Sequence, residues 1–103
     1  MRKAFLMSVD PASHDEYERR HRPIWYDLRV VLRNHGVRNY SIFLDAETSQ
    51  LFGYAEVESE ELWGSIARTV ECQRWWEFMS DIMPSNNDDS PISRNLREVF
   101  HLD

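Results

Sequence analysis

The chain opens on strict alternation, with Lys3, Phe5, Met7 and Val9 pointing one way and Ala4, Leu6 and Ser8 the other. That is the period of a strand buried on at least one face, so residues 3–9 are read as the first strand. Asp10-Pro11 follows, an N-cap residue and a proline at the first helical position, and predicts that a helix begins there. The helix runs to about Arg20 and is disturbed by Pro23. It resumes with Ile24, Trp25, Leu28, Val31 and Leu32 at helical spacing, and Gly36 supplies its stop. Two further strands, about 37–44 and 50–58, flank the polar turn Asp45-Ala46-Glu47-Thr48-Ser49 and predict an antiparallel hairpin.

Ser59 caps the next helix, with Glu60 and Glu61 in its first turn, where the macrodipole favours anions, and Leu62, Trp63, Ile66 and Ala67 as its apolar stripe. Thr69 reads as a second cap, opening a helix that carries Trp75, Trp76, Met79, Ile82 and Met83 and closes at Pro84. After the polar loop Ser85–Pro91 comes a short alternating strand from about Leu96 to His101. The order βαββαβ is that of a ferredoxin-like α+β fold, a four-stranded antiparallel sheet with helices on one face. Phe5, Tyr40, Ile42, Phe52, Tyr54 and Phe100 give the sheet more apolar surface than water should cover, and a face-to-face homodimer is expected.

At 103 residues without a Gly/Pro/Ser-rich stretch, the chain is expected to form one domain, residues 1–103, around one core. Its net charge of −6 and the interleaving of basic with acidic residues speak against a nucleic-acid surface, which needs clustered Lys and Arg. Arg19, Arg20 and Arg22 are the densest basic group and read as a solvated helix face paired with Glu16 and Glu18. No apolar run approaches the roughly 18 residues of a membrane span. Met1-Arg2-Lys3-Ala4-Phe5 leads into a strand rather than a signal-peptide core, and the lone Cys72 allows no internal disulfide. A cytoplasmic protein without membrane contact is expected.

Candidate chemistry concentrates in two segments. In Tyr17-Glu18-Arg19-Arg20-His21-Arg22-Pro23-Ile24-Trp25, an imidazole stands one helical turn after a phenol and two residues before a proline that breaks the helix. Histidine titrates near neutrality and is the commonest general acid/base, so His21 is the foremost catalytic candidate; the alternative is an ordinary capping histidine. Tyr17 reaches the same ligand if the helix is continuous, or is a half-buried core tyrosine. In Gln73-Arg74-Trp75-Trp76-Glu77-Phe78-Met79, successive side chains diverge by about 100°, so Trp75 and Trp76 cannot face the same way. One packs in the core while the other is free to offer its ring to the C–H face of a sugar, unless both serve as core. The remaining histidines, His14, His35 and His101, lack metal-ligand spacing, and the three glycines form no phosphate loop, so neither a bound metal nor a phosphate-cradling loop is expected. Glu56 and Glu58 share a strand face and leave open a paired-carboxylate site, although acids on exposed strand faces are common.

In order and spacing, Arg2-Lys3-Ala4-Phe5, Glu16-Tyr17, His21 with Pro23-Ile24-Trp25, His35-Gly36, Asn39-Tyr40, Gln73-Arg74-Trp75-Trp76 and Glu98-Val99-Phe100 resemble the L-rhamnose mutarotase family over essentially the whole chain. The resemblance implies a dimeric α+β barrel of ferredoxin-like protomers that interconverts the α and β anomers of L-rhamnose without a cofactor. It further implies His21 as the catalytic acid and Tyr17, Tyr40, Trp75 and Trp76 as sugar contacts. Mutarotation needs a proton at the ring oxygen and loss of the anomeric hydroxyl proton, and a neutral-range imidazole serves both directions. The same architecture also hosts cofactor-independent oxygenases and non-catalytic ligand sensors, which fold alone does not separate from a mutarotase.

Overall fold

The computed structural model describes all of residues 1–103. Eight regular elements follow one another: β1 (Arg2–Ser8), α1 (His14–Arg20), α2 (Tyr26–Asn34), β2 (Arg38–Asp45), β3 (Gln50–Glu56), α3 (Glu60–Ile66), α4 (Val70–Met79) and β4 (Arg94–Leu96). Each helical connection of the expected βαββαβ order is thus split into two short helices. All strand pairs are antiparallel and lie in the order β2-β3-β1-β4, the ferredoxin-like arrangement.

Register decides which side chains meet. Phe5 pairs with Gly53, Met7 with Leu51 and Ile42 with Gly53, putting these positions on the face covered by the helices. Glycine is required at position 53, because a Cβ there would overlap the Phe5 ring. The opposite face carries Ala4, Leu6, Phe43, Phe52, Tyr54 and Leu96. Phe5, Tyr40 and Ile42 therefore belong to the inner face and not to the uncovered one. A bulge between Arg38 and Ser41, with Asn39 at φ 50°, inserts the extra residue that turns Tyr40 inward against Phe5 and Trp63.

The helix ends follow local chemistry. The Ser59 hydroxyl accepts the Leu62 amide at 3.1 Å and the Thr69 hydroxyl accepts the Cys72 amide at 3.2 Å, the expected caps. Gly36, at φ 77°, ends α2 in a Schellman turn in which the Val37 and Gly36 amides donate to the Leu32 and Arg33 carbonyls. Asp10 differs from expectation. Its side chain caps nothing, and Pro11–Ser13 form a 3-10 turn before α1 begins at His14.

Two further boundaries move. Helix α4 stops at Met79 instead of Pro84, because the Phe78 carbonyl accepts the Arg20 guanidinium at 2.7 Å and the Ile82 carbonyl accepts the Asp10 amide at 2.9 Å. Ile82 and Met83 still reach the core, from an irregular turn. The last strand is Arg94–Leu96, not Leu96–His101, since β1 pairs with it only over Ala4–Leu6. Beyond it Val99, Phe100 and Leu102 are more than three-quarters exposed. Only Arg2 holds this tail, through a two-pronged contact with Glu98 at 2.6 and 3.0 Å.

Candidate active site

A cavity of about 940 Å³ opens between the inner sheet face and the helices, and Tyr17, His21, Tyr40, Trp75 and Trp76 all line it. The size falls in the usual range of small-molecule sites, and most of the lining is apolar.

His21 is the C-cap of α1, where the backbone leaves the helix toward the cis Arg22–Pro23 peptide. Its Nδ1 lies 2.7 Å from the Tyr17 carbonyl. A carbonyl oxygen can only accept, so Nδ1 carries the hydrogen and the neutral ring keeps its lone pair on Nε2, which has no partner within the chain. The Tyr17 ring stacks on the imidazole at 4.4 Å and the Trp75 ring meets it edge-on at 5.2 Å. Burial among these rings pushes the His21 pKa down, and the Tyr17 carbonyl only partly offsets it. The imidazole is thus held neutral, in one tautomer, as an acceptor.

The two phenols behave alike. Tyr17 is buried, and desolvation followed by the nearness of Tyr40 raises its pKa. Tyr40 is 37% exposed as a residue, yet crowding around its hydroxyl raises its pKa as well, with Cys72 a lesser cause. Both remain protonated throughout the physiological range and act as donors. Burial likewise pushes the Cys72 thiol up to about 11, which leaves it unreactive.

The tryptophans separate as their divergence on the helix requires. Trp75 is buried, with Trp25 at 5.1 Å, Phe78 at 5.7 Å and His21 around it. Trp76 is half-buried, packs against the core and lines the cavity with Trp75. The sequence pattern placed Phe5 on the dimer face and Trp63 in the apolar stripe of a helix, but both form the wall beside Tyr40. Their periodicity marked an apolar face and could not distinguish core from cavity.

Glu56 lies on the outer sheet face, with its carboxylate taken by Asn39 and Tyr54, and neither it nor Glu58 lines the cavity. The paired-carboxylate possibility is thereby removed. No group of three or more His, Cys, Asp or Glu side chains is gathered for a metal ion.

Fold and site together define a class: a ferredoxin-like α+β protein whose aromatic, small-molecule cavity holds the neutral His21 imidazole beside two protonated phenols, with a second imidazole, His14, bonded to Ser49 in the lining. Comparison with known proteins narrows this class. The family model for L-rhamnose mutarotase matches residues 2–102. The L-rhamnose mutarotase of Opitutus terrae is 65% identical over 100% of this chain and 99% of its own length. The crystal structure of an L-rhamnose mutarotase from Formosa agariphila superposes with a TM-score of 0.92 at 38% identity, covering 100% of this chain and 99% of that one. A dimeric ferredoxin-like protein from an uncultured marine organism shares the fold, with a TM-score of 0.64 at 14% identity over 99% of this chain and 94% of its own. The chain belongs to the L-rhamnose mutarotase family.

Proposed function

We propose that His21 carries the proton transfers by which this enzyme interconverts the α and β anomers of L-rhamnose. The observation that carries the proposal is the Nδ1 contact with the Tyr17 carbonyl, which leaves Nε2 as the basic atom of a cavity-lining imidazole. Starting from the neutral ring, Nε2 accepts the anomeric hydroxyl proton. The C1–O5 bond breaks, O5 takes up a proton, and an aldehyde forms at C1. Rotation about C1–C2 presents the other carbonyl face, O5 adds to it and loses its proton, and the new anomeric oxygen is protonated. O1 and O5 are both bonded to C1, so one nitrogen reaches each in turn. His21 is therefore base and acid in alternation, not an acid alone.

Tyr17 and Tyr40 are poor proton sources with their pKa values raised, and serve as hydrogen-bond donors that hold sugar oxygens and favour the developing charge at O5. Trp76 offers its face to the sugar C–H groups. Phe5 and Trp63 give the 6-methyl group an apolar wall that a polar hydroxymethyl group would meet less well.

Residues 1–103 act as one mutarotase domain in a homodimer. Phe43 is 66% exposed on the outer sheet face beside its partner Phe52, Leu96 lies on the same face at the opposite sheet edge, and a second copy of that face is a natural cover. The fold neighbour described as dimeric supports this. No helix is long and apolar enough to cross a membrane. The reducing cytoplasm suits the free Cys72 thiol.

The test is saturation-transfer NMR on L-rhamnose. The enzyme is expected to accelerate α/β exchange in proportion to its concentration, more for L-rhamnose than for a sugar with a hydroxymethyl group at the same carbon. Binding without acceleration would make the protein a sensor, and oxygen consumption would make it an oxygenase.

A further inference from the structure

Arg20 lies outside the sugar cavity, yet its side chain is only 9% exposed and almost all its donors are engaged. Nε donates to Glu16 at 2.7 Å, Nη1 to the Phe78 carbonyl at 2.7 Å and to Asp81 at 2.9 Å, and Nη2 to Asp81 at 3.2 Å. The guanidinium also stands 4.3 Å from the centre of the Phe78 ring, a cation–π distance. It fills the C-terminal end of α4, where unpaired carbonyls and the helix dipole favour a cation.

This cation sits next to His21 in the chain, at the end of α1. Phe78 packs on Trp75 and Trp25, and Trp75 meets the imidazole edge-on. His21 itself has one polar anchor, the Tyr17 carbonyl on its own helix, and nothing polar ties its ring to α4. Arg20 supplies that tie twice over, through the Phe78 carbonyl and the Asp81 carboxylate and through the ring stack that ends on the imidazole. We infer that Arg20 is a positioning residue for catalysis, locking the end of α1 to the end of α4 so that His21 keeps its place and tautomer against Trp75. A planar fork is needed, since an ammonium cannot hold Glu16, Asp81 and a carbonyl in fixed directions at once. Displacements of an ångström at a reacting group reduce rates by as much as about a hundredfold.

The inference rests on His21 as the proton-transfer group, and the experiment separates the two. Arg20→Lys and Asp81→Asn are compared with Val57→Ala, a buried site away from the cavity, chosen to lose similar thermal stability. Arg20→Lys is expected to lower kcat about tenfold with KM nearly unchanged, within the range that small misplacements produce. The ring-nitrogen NMR spectrum of His21 should lose its fixed Nδ1–H signature. Asp81→Asn should show a smaller change in the same direction, and Val57→Ala none. Should Arg20→Lys fail to fold, Asp81→Asn decides by the same readouts. Wild-type kcat and an unchanged His21 spectrum in folded variants that have lost stability would overturn the positioning role. Wild-type exchange in His21→Ala would instead overturn the role of His21 itself.

Discussion

His21 titrates in surroundings that disfavour its charged form, and under the proposed mechanism this sets the acid side of the activity. The folded pKa is pushed below the ordinary 6.5, chiefly by burial. The rate should therefore stay level down to about pH 6.5 and fall only further into acid, with no basic limb from the tyrosines, whose pKa values are raised. A kcat profile by anomer exchange checks this, and a midpoint above the ordinary value would contradict it. Stability follows the same sign: below pH 6.5 the unfolded chain binds more protons at this position than the folded one, so His21 lowers stability as pH falls. Trp75 and Trp76 should separate experimentally. Trp75→Ala truncates a buried ring and should cost about 3–5 kcal/mol, whereas Trp76→Ala should keep stability and mainly weaken sugar binding. Thermal melts and sugar titrations measure both; two wild-type variants would remove the tryptophans from the site. Tyr17 and His21 were legible in the sequence because a helical turn separates them and Pro23 breaks the helix beyond. Which tryptophan faced inward was not, because that depends on how α4 is rotated against the sheet.

At the scale of elements, short-range chemistry carried through to the structure and long-range chemistry did not. Ser59, Thr69 and Gly36 act as helix ends through bonds to residues three or four positions away, so their roles could be read locally. Thr69→Ala removes the acceptor for the Cys72 amide at the start of the helix that carries both tryptophans. A loss of about 1 kcal/mol in denaturant unfolding is expected, and no change would mean that water replaces the hydroxyl at no penalty. The end of α4 depends on Arg20 and Asp10, distant in sequence, which take the backbone at Phe78 and Ile82. Tyr40 likewise owes its inward direction to a bulge whose position only strand pairing reveals.

For the whole molecule, the ferredoxin-like order was readable from hydrophobic period and turn signals, while the membership of each sheet face was not. Gly53 lets the Phe5 ring lie across the inner face, and the bulge at Asn39 resets the alternation of β2, so the uncovered face holds Phe43, Phe52 and Leu96. Light scattering should give twice the chain mass, and Phe52→Asp, a charge on that face, should shift the protein toward monomer. A stable wild-type monomer at micromolar concentration would contradict the homodimer. The proposed chemistry converges on one nitrogen of one side chain. Saturation-transfer NMR on L-rhamnose with His21→Ala at neutral pH, with sugar binding followed separately by line broadening, tests it most directly. The expected result is a roughly 10²- to 10⁴-fold loss of exchange with binding largely kept. Near wild-type exchange in a folded, sugar-binding variant would move the proton transfers to Tyr17, Tyr40 or water.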